Sequence, residues 1–308
     1  MNNSSFNFSN SFLNRRKFIK NSVTTVGAVL AAPLLSNASG FKKNGDTITV
    51  KQIMDMFISE VPGGRLAETV DTLKSGSPDS IVTGIVTTMF ATIQVVRKAV
   101  DLGANFIIAH EPTFYNHVDD TKWLENDEVY KYKAALLKQH QIVVWRNHDY
   151  IHRLVPDGVT IGVLEQLGWR QYADEKVLNV VTVPTVSLKG LVSHAKERLN
   201  IEMVRYIGDP LQSVSRLVLI PGAAGLNRHV EAIEKYKPDV LLVGEMSEWE
   251  TAEYVRDARA SGQKVALVVL GHIASEEPGS EYMLNWLKEK VPSVKATHIP
   301  CGNSLSFM

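Results

Sequence analysis

Short apolar runs recur along the chain, at residues 81–87, 105–109, 142–145, 177–183, 216–220, 240–243 and 264–270. Each is only four to seven residues long and almost continuously apolar, which predicts strands buried on both faces of a sheet. Helical patterns lie between them. Residues 92–102 are amphipathic and stop at Gly103, a glycine placed to close a helix in the left-handed conformation. Residues 126–140 read as a second helix. Residues 247–260 open with Ser247-Glu248-Trp249-Glu250, which has the form of a capping box, and end near Gly262. A further helix, 281–291, is closed by Pro292. Strands alternating with helices predict an α/β protein with substantial parallel pairing. A helix, a glycine, a strand and then a histidine occur over 92–110 and again over 247–272. This echo predicts two similar α/β halves, residues 47–185 and 186–308, joined near 183–188.

The first forty residues have a different pattern. Asn14-Arg15-Arg16-Lys17-Phe18-Ile19-Lys20 precedes an uncharged, mostly apolar stretch over 21–35, and the small residues Ser36-Asn37-Ala38 follow. A charged segment, an apolar segment and a small-residue exit describe a signal peptide, here residues 1–38 with cleavage after Ala38. The paired arginines followed by Phe18-Ile19-Lys20 resemble the twin-arginine class, which predicts an exported, periplasmic protein. The apolar stretch is short for a membrane span, and no later run reaches the roughly 18 residues that a span needs. No stable span is therefore expected once the leader is removed.

Charge and cysteine content narrow the reading further. Lys plus Arg and Asp plus Glu each number 33, so the formal net charge is zero. Neutrality argues against a nucleic-acid partner, which calls for a dense basic surface. Cys301 is the single cysteine, so the chain cannot form an internal disulfide.

The chemistry concentrates where strands end. The run 105–109 leads into His110-Glu111-Pro112, the run 142–145 into Arg146-Asn147-His148 with His152 four residues on, and the run 264–270 into Gly271-His272. Four of the nine histidines lie in these three junctions. Open α/β sheets bind ligands beyond the carboxyl ends of their strands, so these side chains are expected to converge on one edge. His272 and Glu276 are four residues apart, as are His148 and His152, so a helical turn places each pair on one side. Mixed imidazole and carboxylate donors suit Zn, Fe, Mn, Co or Ni rather than Mg or Ca. Two ions in one site need a bridging carboxylate, a role open to Glu111 or Glu276. The predicted metal ligands are His110, Glu111, His152, His272 and Glu276. His148 is a candidate general base or orienting residue, with a structural histidine as the alternative. Pro221-Gly222-Ala223-Ala224-Gly225 lies between a strand and a helix and reads as a tight turn, with an anion cradle as the second possibility. His298 and Cys301-Gly302-Asn303 follow the last strand and are candidates to line a cavity.

These segments resemble those of the YbgI/YqfO-type dinuclear-metal family, Nif-like proteins often labelled GTP cyclohydrolase I type 2 homologues. The resemblance covers most of residues 47–298. It is carried by residues 102–112, by His148, His152, Gly158 and Leu167-Gly168, by Gly244-Glu245 with Trp249-Glu250, and most specifically by Gly271-His272-Ile273-Ala274-Ser275-Glu276. The resemblance implies two α/β halves around a metal pair, two divalent ions per chain, and assembly as a homohexamer. It also implies the same five ligands, with two departures: the family's second histidine is Glu111 here, and its aspartate is His152. One carboxylate and one imidazole have changed places, which leaves the total ligand charge unaltered.

The function expected is that of an exported dinuclear metal-binding protein, a metal-dependent hydrolase acting on a small molecule. The GTP label is discounted for a protein outside the cytoplasm. A non-catalytic metal-binding or assembly scaffold is the alternative.

Overall fold

The computed structural model describes residues 47–306 and residue 308. The expected leader, residues 1–38, lies outside the described residues. Among the described residues no helix is long and apolar enough to cross a membrane.

In chain order the elements are α1 (Val50–Ser59), β1 (Leu73–Ser75), β2 (Ile85–Thr88), α2 (Ile93–Asp101), β3 (Phe106–Ala109), α3 (Glu128–Gln139), β4 (Val143–Arg146), α4 (Asp149–Arg153) and α5 (Gly158–Leu167). There follow β5 (Val180–Ser187), α6 (Leu188–Leu199), β6 (Arg205–Ile207), β7 (Ser213–Ile220), α7 (Leu226–Tyr236), β8 (Val240–Val243), α8 (Glu253–Ala260), β9 (Ala266–Val269), α9 (His272–Lys290) and β10 (Ala296–His298). They form two five-stranded sheets, ordered β1-β4-β3-β2-β10 and β5-β7-β8-β9-β6. In the first, β10, β2, β3 and β4 run parallel and β1 is antiparallel at the edge. In the second, β7, β8 and β9 run parallel between two antiparallel edge strands.

The apolar runs form strands because each has a helix layer on either side. On β3, Phe106 and Ile108 face one core with α1 and the end of α9, whereas Ile107 and Ala109 face the other with α2 and α3. In the second sheet β8 behaves alike: Val240 and Leu242 pack towards α5 and α6, and Leu241 and Val243 towards α7 and α8. Each large apolar side chain buried in this way contributes about 1.5–3 kcal/mol of hydrophobic stabilisation. With both faces covered, a polar residue at any of these positions would lose its water, so the runs show no alternation.

The expected α/β class and all seven expected strands are present. The two sheets share one order of elements: β2-α2-β3-α3-β4 then helix, and β7-α7-β8-α8-β9 then helix. The echo read from sequence is therefore out of phase. It matches α2-β3-His110 with α8-β9-His272, but by topology His272 and Glu276 correspond to His148 and His152, each pair opening the helix after the third parallel strand. The halves also interleave. The 185/186 join falls inside β5, and β10 leaves the second half to pair with β2 in the first sheet.

Three local readings change as well. The Ser247 side chain makes no capping bond; the segment opens instead as a π-helical turn, Glu248–Ala252, that runs into α8. Helix α9 begins nine residues before the expected start and contains Pro278. The strands β1, β6 and β10 are three residues long and only partly buried, so no apolar run marks them.

Helices α5 and α9 tie the sheets together. Val159 of α5 packs in the first sheet's core and Val163, Leu164 and Leu167 in the second's; Met283, Trp286 and Leu287 of α9 return to the first. Their crossing depends on glycine from both sides. A Cβ on Gly162 would lie 2.4 Å from the Pro278 carbonyl oxygen, and one on Gly279 would lie 2.8 Å from Val159 Cγ2. Gly162→Ala is therefore expected to force the helices apart and destabilise the fold by about 1–3 kcal/mol, read as a lowered midpoint in urea unfolding. An unchanged midpoint would show that the crossing is not close-packed.

Candidate metal centre

The carboxyl ends of both sheets deliver the predicted side chains. His110 and Glu111 follow β3, Asn147 and His148 follow β4, His152 lies in α4, and His272 and Glu276 lie in the first turns of α9 after β9. The convergence is thus between the strand ends of two sheets and not along the edge of one. Helical spacing puts His272 Nε2 2.9 Å from Glu276 Oε2. Glu111 Oε1 stands 3.1 Å from the same His272 nitrogen, and His110 Nε2 stands 3.4 Å from Glu276 Oε2. The other oxygen of Glu276 faces His152 Nε2 at 3.9 Å. Glu276 therefore turns one oxygen to His152 and the other to His110 and His272, the disposition a bridging carboxylate needs.

Three imidazoles are oriented alike. Nδ1 of His110 is 3.2 Å from the Asn147 carbonyl, Nδ1 of His148 is 3.0 Å from Asp149 and Nδ1 of His152 is 2.9 Å from Asp157. An oxygen acceptor at Nδ1 places the proton there and leaves the Nε2 lone pair free, as metal-binding histidines require. The His110 ring stacks on His148 at 4.9 Å and meets His152 edge-on at 5.1 Å. Donor atoms of His110, His148 and His152 lie within 4.8 Å of one another, and so do those of His110, Glu111 and Glu276. All five predicted ligands are brought together, and His148 stands among them, one helical turn before His152.

The electrostatics describe a site built for cations. Glu111 and Glu276 are 7% and 4% exposed. Burial alone raises a carboxyl's pKa, yet both are held below the ordinary glutamate value, Glu111 chiefly by His272 and Glu276 chiefly by His110. Burial opposes charge on His272 too, but hydrogen bonds to Glu111 and Glu276 outweigh it and push this imidazole up to about 10. His148 goes the other way: burial, then the neighbouring His110, bring it down to about 4, so it remains neutral. Here the protonated His272 answers the two buried negative charges. One atom is left over: His110 Nε2 is buried and, although near Glu276, has no aligned hydrogen-bond partner. A lone pair pointing at two carboxylates and two further imidazoles has a divalent transition metal as its natural partner, so the donor set fits such ions.

Each exchanged donor has its own support. Glu111 Oε2 accepts from Arg146 at 3.1 Å, and Arg146, fully buried, also donates to the His110 and His117 carbonyls. Asp157 holds His152 while its other oxygen accepts from Thr160 N and caps α5. Asp71, buried, accepts from the backbone amides of His148 and Tyr150 and pins the turn between β4 and α4. Glu245, after β8, lies 3.4 Å from His272 Nδ1. Sequence reasoning passed over Arg146, Asp157 and Asp71. A charged residue closing an apolar run was the available signal for Arg146.

The Pro221–Gly225 segment is a turn against the site. Gly222 has φ +67°, its amide donates to Ser275 Oγ at 3.0 Å, and a Cβ there would fall 2.1 Å from Glu276 Oε1. Only glycine lets the backbone approach the carboxylate this closely. Beside the cluster opens a cleft of about 1270 Å³ that takes Glu111 and His272 into its wall. Cys301, Gly302 and Asn303 line it as expected; His298 instead sits in β10, its Nδ1 3.0 Å from the Thr87 carbonyl.

A Clostridium acetobutylicum protein called "GTP cyclohydrolase 1 type 2 homolog" is 23% identical over 217 residues, 67% of this chain and 76% of its own length. Among solved structures, Staphylococcus aureus protein SA1388 aligns with a TM-score of 0.69 at 20% identity, over 85% of this chain and 99% of its own. A Bacillus cereus protein related to NIF3 aligns with a TM-score of 0.68 at 16% identity, over 86% and 99%. At such identities the likeness to these structures speaks for the fold. The model of the family described as Duf34/NIF3 (NGG1p interacting factor 3) matches residues 48–303, nearly all of the described protein, and the chain belongs to that family.

Proposed function

We propose that this chain is an exported protein that binds two divalent transition-metal ions and works as a metal-dependent hydrolase of a small molecule. The observation that carries this reading is the buried, unpartnered His110 Nε2 at the meeting point of two carboxylates and two further imidazoles. His110, Glu111, His152, His272 and Glu276 would hold the ions, drawn from Zn, Fe, Mn, Co and Ni. When bound, such a pair lowers the pKa of a water towards neutrality and polarises a carbonyl or phosphoryl oxygen.

The protein's own groups do the remaining work. Asp149 holds His148 Nδ1 and leaves Nε2 as a proton acceptor, and the same carboxylate would stabilise an imidazolium formed there. Arg146 and Asp157 fix Glu111 and His152 in place. The cleft beside the cluster gives a substrate access and favours turnover over a closed scaffold. Export by the twin-arginine route, which carries folded proteins, and assembly into a homohexamer complete the proposal. The name of the Clostridium relative points to GTP, but a periplasmic location argues for another substrate.

Elemental analysis of the purified protein is expected to find about two transition-metal ions per chain, and Glu276→Ala is expected to lose both. Retention of both ions by that variant would overturn the assignment. Gly222→Ala should lower metal content while costing the fold about 1–2 kcal/mol for a Cβ in the left-handed region, because the new methyl displaces the Glu276 carboxylate. Equal metal content in folded Gly222→Ala would place Glu276 outside the centre. A panel of phosphoesters and amides should show turnover that a chelator abolishes and added metal restores; a panel without such turnover would leave the scaffold alternative in its place.

A further inference from the structure

The ligands account for one side of the cleft, and its remaining wall has chemistry of its own. Phe90, Tyr115, Tyr132, Arg97 and Lys133 line it. Lys133 is the unusual member. It lies in the middle of α3 and is only 4% exposed, whereas lysines are among the residues least often buried without a partner. Its ammonium donates to the Thr113 carbonyl at 2.6 Å and lies 5.4 Å from the Tyr115 ring and 5.7 Å from the Phe114 ring. No carboxylate among the described residues comes within 4.0 Å of it. Burial brings the Lys133 ammonium down to about 8, opposed by the field of Asp119, which is itself held by Lys74 at 3.1 Å and lies 3.7 Å from Arg146. An ammonium has three donors, and this one uses a single protein acceptor. Beside it, the buried Thr113 Oγ1 has no hydrogen-bond partner and lines the same cleft.

The aromatic side chains are placed at some cost. Tyr115 and Tyr132 are 54% and 49% exposed, so their rings are not there to fill a core. Tyr115 has φ +66°, a backbone conformation that L-residues other than glycine rarely adopt. Arg97 donates to the Tyr132 hydroxyl at 2.6 Å, and its guanidinium carbon lies over that ring, 5.8 Å from the centroid. A buried cation, an unpaired hydroxyl and two exposed rings share one cleft with Glu111 and His272.

We propose that the cleft binds a small aromatic anion, with its charged group received by Lys133 and Thr113 and its ring lying against Tyr115 and Tyr132. The proposal rests on the hydrolase reading for what happens to the ligand, but not for its binding. A buried ammonium with spare donors meets its desolvation cost when an anion joins it. Aromatic walls select a flat, apolar body beside that charge.

Phenyl phosphate, benzoate and methyl phosphate are the probes, titrated calorimetrically into the full chain, with metal content measured on the same samples. Phenyl phosphate or benzoate is expected to bind about tenfold more tightly than methyl phosphate, a difference of ~1.4 kcal/mol. Preference for phenyl phosphate marks the ligand as a phosphate ester and preference for benzoate as a carboxylate. Lys133→Met, which keeps the apolar stem, should weaken both aromatic anions by about tenfold or more with metal content unchanged. Tyr115→Ala, at an exposed position where folding is not at stake, should abolish the preference for aromatic over methyl phosphate.

Equal affinity in the parent protein and Lys133→Met, at equal metal content, overturns the proposal and leaves the metal centre standing. A parent protein without metal that still binds the aromatic anions through Lys133 supports the proposal and sinks the metal reading alone. Absence of binding by all three probes overturns the proposal. Should Lys133→Met fail to fold, an unchanged aromatic preference in Tyr115→Ala overturns it by itself.

Discussion

Two carboxylates held out of water dictate much of what surrounds them. An isolated buried carboxylate costs several kcal/mol, and Glu111 and Glu276 lie together where the two sheets meet. Their compensation comes from four directions: Arg146 at the end of β4, His110 after β3, His152 in α4, and His272 at the head of α9. None of these elements can shift without stranding a charge. The α5–α9 crossing sets how near the sheets come, because Gly162 and Gly279 let the two backbones touch. Core packing and site geometry are therefore one problem with one solution. The tight crossing brings the strand ends together, and the charge cluster rewards that closeness.

The same cluster shows how each exchanged position is balanced by its surroundings. Glu111 and His152 stand where the resemblance expects imidazole and carboxylate. Each has a neighbour of opposite character: a guanidinium for the carboxylate, and a carboxylate, Asp157, for the imidazole. Local neutrality is kept donor by donor and not just in the sum. Asp157 also caps α5, so orienting the imidazole and starting the helix draw on the same side chain.

Much of this was legible in the sequence, and the reasons differ by element. Strands such as β3 and β8 were clear because both faces are buried, leaving an unbroken apolar run. His272 and Glu276 were clear because helical spacing makes them neighbours before any tertiary contact is considered. The start of α9 leaves little mark because Pro278 and Gly279 are poor helix formers; the helix continues through them, and Gly279 meets α5 at close range. The strands β1, β6 and β10 left no mark, since edge pairing of three half-exposed residues needs no apolar pattern. Arg146 and Asp71 escaped because their roles depend on partners at positions 111 and 148–150, set by the tertiary fold. The phase of the internal echo is hard to read because helix, strand and histidine occur twice in the first half, at His110 and at His148, and once in the second, at His272.

The pairing of β10 with β2 bears on the order of events during biogenesis. His298 bonds to the Thr87 carbonyl across a separation of 211 positions, so the first sheet lacks its last strand until more than two hundred further residues have followed β2. Such distant closure is slow, because chain entropy is lost before the contact rewards it. The first sheet cannot be finished before residues 296–298 have been made. Completion therefore waits on the second sheet, whose strands all lie between β4 and β10 in the chain.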